Sequence, residues 1–238
     1  MKNILSLFLI ISFISLYAQE ESNYKKEVYL TTNISSTTIS YAPRWTLGVI
    51  IPIKEKWFVG LDVGYGNKKS IIGFSKSTNR VDNEYKLWEI RPQIYYLLTS
   101  EVHFKSYISV ELFYINHKDV FVNNNELLQE ERYIYNNKVF IKYDQANYLR
   151  KKYGLNLNYG IIATIWRQLG INFNLGLGIR DRQVSFTNII NPRQFTPDED
   201  RFLPFESENY LTDKGVNIGL NFDFNIKLYL KLNSKKKE

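Results

Sequence analysis

Between positions 216 and 232 every even residue is apolar: Val216, Ile218, Leu220, Phe222, Phe224, Ile226, Leu228, Leu230 and Leu232. The odd residues, Asn217, Gly219, Asp223 and Lys227 among them, are polar or glycine apart from Tyr229. Period-two alternation describes one extended strand with an apolar face and a polar face. Fully extended it would measure about 56 Å, where ordinary strands reach about 20 Å. A small soluble core does not call for that length. A lipid bilayer crossed by the tilted strands of a closed barrel does.

Seven further stretches alternate in the same way, at 27–36, 44–53, 57–66, 85–98, 102–114, 153–165 and 169–180. The first is the weakest, and Pro92 is awkward within the fourth, because proline donates no ladder hydrogen bond and marks an edge or a bulge. Links after the second, fourth and sixth strands are short; those after the third, fifth and seventh are long, at 67–84, 116–151 and 181–214. The link at 116–151 holds β-prone pieces at 133–135 and 139–141, so its flanking strands are expected to run beyond a membrane. The pattern predicts an all-β fold: an eight-stranded antiparallel up-and-down transmembrane β-barrel with both termini on the short-turn rim.

Lys2, an apolar run of 13 residues at 4–16 and then Ala18 before Gln19 read as a signal peptide over 1–18, cleaved after Ala18, with a barrel domain over 19–238. The run is too short to span a membrane as a helix. The absence of cysteine excludes a disulfide framework and thiolate metal sites. A mean hydropathy of −0.31 argues against a helical membrane bundle but not against a barrel, which is apolar at every second strand position only. The net charge of +7 is dispersed and accompanies no nucleic-acid-binding module, so no nucleic-acid partner is expected.

Alternation alone does not separate a transmembrane barrel from a soluble one whose apolar face points inward. Three features favour the membrane. Eleven of the 12 glycines lie on the polar face, where a narrow lumen needs room for its neighbours. Charges of both signs lie on that face, as Asp62, Glu89, Arg91, Lys105, Glu111, Arg180, Asp223 and Lys227, a set that can pair inside a closed lumen. Finally, Trp45, Trp57, Tyr65, Trp88, Tyr96, Tyr114 and Tyr153 stand at the strand ends of the apolar face, where aromatic girdles form.

Arg91-Pro92-Gln93-Ile94-Tyr95-Tyr96 is similar to a strand motif of the porin-family outer membrane β-barrel proteins common in Bacteroidota. Asn217, Gly219, Phe222 and Phe224 resemble the polar-x-Gly-x-x-aromatic-x-aromatic signal read by the barrel-assembly machinery. Over almost all of the mature chain the sequence resembles the small OmpA/OmpX-like barrels of Gram-negative bacteria. It departs from them at its end, continuing through Leu232 into a polar tail. The resemblance implies outer membrane localisation, with outer membrane lipid, lipopolysaccharide and the assembly machinery as partners.

No cofactor, metal or catalytic set is expected. Some barrels of this size modify lipid A, and His103 is read as facing the lumen near Ser109, but Ser106 has lipid-facing parity and no acidic third member stands at a telling spacing. His117 is placed at the start of a loop. The acidic residues Asp198, Glu199, Asp200, Glu206, Glu208 and Asp213 are read as a solvated loop in preference to a cation site bridging lipopolysaccharide phosphates. The favoured function is non-enzymatic, structural or surface-binding, with three long loops open to an extracellular ligand. A small channel or transporter for ions or apolar solutes is the alternative, and lipid A modification comes third. Eight strands leave an interior just filled by side chains, which favours a plug over conduction.

Overall fold

The computed structural model describes residues 27–40, 42–68, 84–101, 103–122, 133–136, 139–195 and 214–233. Eight strands close into one antiparallel barrel: β1 (Glu27–Asn33), β2 (Trp45–Pro52), β3 (Trp57–Asn67), β4 (Lys86–Leu97), β5 (Phe104–Val122), β8 (Gln145–Trp166), β9 (Leu169–Ile190) and β11 (Gly215–Asn233). Each pairs with the next wall strand in the chain, and β11 closes the circle on β1. A small second sheet of β6 (Tyr133–Asn136), β7 (Val139–Lys142) and β10 (Arg193–Phe195) stands at the rim with the long connections. The short links 53–56 and 167–168, and residues 98–101 and 103 of the third, lie at the other rim, at the Glu27–Asn233 end of the β1–β11 pair.

The alternation survives as geometry. On β9, Leu175, Leu177 and Ile179 are more than half exposed, while Asn172 and Asn174 beside them are buried. Trp45, Tyr65, Trp88 and Tyr153 mark one edge of this outward apolar surface, and Trp57, Phe104 and Trp166 mark the other. The ladder can be traced from Tyr29 through Ile50, Gly60, Gln93, Glu111, Asn156, Gly178 and Asn221. Extending the β11–β1 register brings it back to position 39, ten residues beyond its start. A stagger of this size in eight strands tilts them by about 40° to the barrel axis. At that tilt the apolar row 169–179 of β9 rises about 24 Å, close to the apolar band of outer-membrane-type barrels.

Several boundaries differ from the sequence reading. The first strand ends at Asn33, not 36, and a one-turn helix, α1 (Ser35–Thr38), follows. Asn33 Oδ1 accepts from the Ser35 hydroxyl and from Ser36 N–H, and these local bonds compete with the ladder. β5 runs on to Val122, β8 starts at Gln145 instead of 153, and β9 continues to Ile190, so 181–190 is strand and not loop. Pro92 lies inside β4 with its side chain outward, and the ladder to β5 skips Arg91 and Pro92, as a missing N–H requires. The signal-peptide segment, Gly73 and the acidic residues 198–213 lie outside the described residues.

Candidate functional site

The lumen is filled in three tiers. At the short-turn end Tyr29, Ile50, Phe58, Tyr95, Leu97, Tyr107, Ile162 and Tyr229 form a buried cluster on the face read as polar. Tyr29 meets Tyr229 edge-on at 5.3 Å and Tyr95 meets Tyr107 at 5.0 Å, both favourable aromatic geometries. Glycine makes this possible: a Cβ on Gly160 would stand 2.3 Å from the Tyr107 ring and one on Gly170 2.5 Å from that of Tyr229. The space among the lower rings is too small for a water molecule. This tier is an apolar plug.

The second tier is an ion-pair network at mid-height. Arg91 Nε donates to Glu89 Oε2 at 3.0 Å, and its Nη1 donates to Glu111 Oε1 at 2.7 Å and Asp223 Oδ1 at 3.2 Å. Arg44 Nε contacts Glu89 Oε1 at 2.6 Å, and Lys227 Nζ pairs with Asp62. Neutral donors complete the shell: Asn156 Nδ2 on Glu111 at 2.9 Å, Gln93 Nε2 on Asp62 at 3.2 Å, and Asn225 on Asp223. Glu111 and Asn156 are fully buried. Burying four carboxylates is tolerable only because three cations and these amides answer them.

Six of the eight charges singled out from the sequence, Asp62, Glu89, Arg91, Glu111, Asp223 and Lys227, are brought together here. The other two are not. Lys105 sits at the short-turn mouth, where it and Lys231 each reach Glu27 at 2.6 Å. Arg180 lies higher on β9, opposite Gly154 and Gly219. Sequence reasoning missed Arg44, Gln93 and Asn156 as members. Their inward parity, shared with Thr46, Arg91 and Asn158, was the available signal.

The third tier, above Tyr114 and Tyr153, is aromatic and cationic. Phe121, Tyr143, Ala146, Tyr148, Val184 and Phe186 pack inside the extended ends of β5, β8 and β9. His117 lies on β5 and not in a loop, buried edge-on between Tyr85 (4.9 Å) and Tyr148 (5.1 Å). Burial holds its imidazole well below the usual range, and the charges of Arg150 and Arg44 push the same way. Below this tier a cavity of about 400 Å³ is lined by Arg44, Arg91, Arg150 and Lys152 on the lumen side.

No histidine–serine pair forms among the described residues. His103, expected to face the lumen, is exposed in the β4–β5 link. Ser106 has the outward parity of β5 but is buried, its hydroxyl bonded to that of Thr99, while Ser109 accepts from Asn158 at 3.4 Å. Among the described residues, no group of three acidic or histidine side chains is arranged to hold a metal. Of the four residues read as an assembly signal, Phe222 and Phe224 project outward from β11, while Asn217 and Gly219 lie on its other face.

Fold and lumen together define a closed eight-stranded up-and-down barrel with an apolar exterior, an ion-paired interior and a plugged lower end. No family model and no curated protein matches the chain. Among solved structures it is similar to a major outer membrane protein from Thermus thermophilus, at 10% identity and a TM-score of 0.47, over 88% of this chain and 100% of that one.

Proposed function

We propose that the chain is an integral outer membrane protein with a structural or surface-binding role, not an enzyme. The observation that carries this reading is the inversion of an ordinary soluble fold: Leu177, Ile218 and Phe222 are exposed by 59, 78 and 77% while Glu111 and Lys227 are buried. An apolar surface that encircles the barrel is a liability in water and a requirement in lipid. The short-turn rim then faces the periplasm and the long connections face outward, free to meet an extracellular ligand and the lipopolysaccharide layer. A signal peptide cleaved after Ala18 would deliver the chain, and Asn217, Gly219, Phe222 and Phe224 would be read by the barrel-assembly machinery.

The apolar plug argues against the channel alternative, because a lower tier without room for water offers no continuous aqueous path. Expression of the full chain in a Gram-negative host tests the proposal. The mature protein should fractionate with the outer membrane and migrate faster on a gel unheated than boiled. Recovery as a soluble periplasmic protein, with no heat-dependent migration, would overturn it.

A further inference from the structure

β1 is too short for its neighbours. Its pairing with β11 ends at Asn33 opposite Lys227, yet β11 continues to Gly215. From Asn225 upward the outer edge of β11 therefore faces no strand among the described residues. Residues 34–40 take that place without continuing the wall. Ile34 N–H donates to the Ile226 carbonyl at 2.8 Å, Ile226 N–H donates to Ser35 Oγ at 3.3 Å, and α1 then turns the chain back to Arg44. The result is a notch in the barrel wall.

The 400 Å³ cavity runs through this notch, with Phe222, Phe224 and Ile39 at its mouth. Phe222 and Phe224 pair with Leu177 and Leu175, just below Ile179, where the outward row of β9 gives way to Asp181. The mouth thus opens in the upper half of the apolar band, within an acyl chain's reach of the headgroup layer. Inside, Arg44 and Arg91 are engaged by Glu89 and Asp223 is taken up by Arg91, whereas among the described residues no ion pair joins Arg150 or Lys152 to a carboxylate, and Lys152 has only the Phe113 ring at 5.3 Å. Arg150 is 5% exposed and its Nε has no acceptor. Two cations two residues apart on one strand face, about 7 Å along the chain, are spaced to share one oxyanion. A buried charge without a partner is costly, and an incoming anion removes that cost.

We propose that the notch seats an anionic amphiphile of the surrounding membrane, its phosphate headgroup held by Arg150 and Lys152 and an acyl chain lying on Phe222 and Phe224. The apolar mouth selects a lipid over free phosphate, since only an amphiphile covers both surfaces at once. This site rests on the membrane reading above and adds to it a lateral route from lipid into the lumen.

The test uses the full mature chain, folded in zwitterionic detergent and mixed with phosphatidylglycerol, with phosphatidylcholine of the same chains, or with inorganic phosphate. Retained molecules are counted by native mass spectrometry. Phosphatidylglycerol should be retained over phosphatidylcholine by about tenfold or more, and Arg150→Gln with Lys152→Gln should abolish that preference. Phe222→Ser with Phe224→Ser should weaken retention of both lipids while the preference persists. Millimolar phosphate should compete poorly. Equal retention of the two lipids by a heat-modifiable barrel overturns the proposal, as does displacement by phosphate at concentrations matching the lipid. A chain that shows no heat-modifiable fold fails earlier, at the membrane reading itself.

Discussion

Arg91→Met probes the mid-lumen network at the residue that joins most of it. The substitution keeps a side chain of similar length beside Phe113, whose ring lies 5.5 Å from the guanidinium carbon. It removes the cation from Glu111 and Asp223, while Glu89 keeps Arg44 and Asp62 keeps Lys227. Two buried carboxylates are left with amide donors only. Removing one partner of a buried pair costs about 3–5 kcal/mol, and the two orphaned acceptors place Arg91→Met in that range. Lys105→Met is the control, because its partner Glu27 keeps Lys231 at the partly exposed mouth and the loss should stay within about 1 kcal/mol. Equilibrium urea unfolding of the barrel in lipid vesicles, followed by tryptophan fluorescence, measures both. Adding Glu111→Gln to Arg91→Met should recover part of the loss, since one uncompensated charge disappears. A loss for Arg91→Met no larger than for Lys105→Met would refute the network as the organiser of the lumen.

Gly160→Val should destabilise by about 1–3 kcal/mol in the same assay, because its Cβ would meet the Tyr107 ring at 2.3 Å. Gly219→Val, whose nearest neighbour would stand at 3.6 Å, should change stability by no more than about 0.5 kcal/mol. In planar bilayers the protein should show no steady current, and joint Phe58→Gly, Tyr95→Gly and Tyr107→Gly should produce one; current without these changes would show that the plug does not seal. His117 gives a pH dependence. Its folded form resists the proton while the unfolded chain takes it up near pH 6.5, so the His117 contribution to stability is present above about pH 6.5 and lost as pH falls below it. Asp119 Oδ2, 3.7 Å from Nε2, opposes this without reversing it. His117→Gln should reduce the difference in unfolding midpoint between about pH 7.5 and about pH 5.

The wall of the barrel was legible because its rule is local: in a strand that crosses lipid, parity alone assigns each side chain to one face. That rule located eight strands and six of the paired lumen charges. It failed where the surroundings change. On β9 the odd residues up to Ile179 are apolar and outward, but beyond the band Val184 and Phe186 are apolar and inward, with Asp181 and Gln183 outward. Once water replaces lipid the apolar phase reverses, so a search for one continuous phase ended β9 ten residues early. The plug escaped for a related reason. Tyr29, Phe58, Tyr95 and Tyr107 interrupt a face that is polar higher up, and only the closed circle shows that they meet. The notch depends on a strand that stops short, and the side-chain bonds of Asn33 that end it resemble any loop in sequence.

The central claim is that even residues of β11 face lipid and odd residues face the lumen. The chain has no cysteine, so single cysteines can be placed at each position from 218 to 230, labelled with a fluorophore and quenched by nitroxide-bearing lipid. Quenching should alternate with period two, strong at 220, 222, 224, 228 and 230 and weak at 221, 223, 225, 227 and 229. Strong quenching at the odd positions, or uniform quenching along the strand, would contradict it.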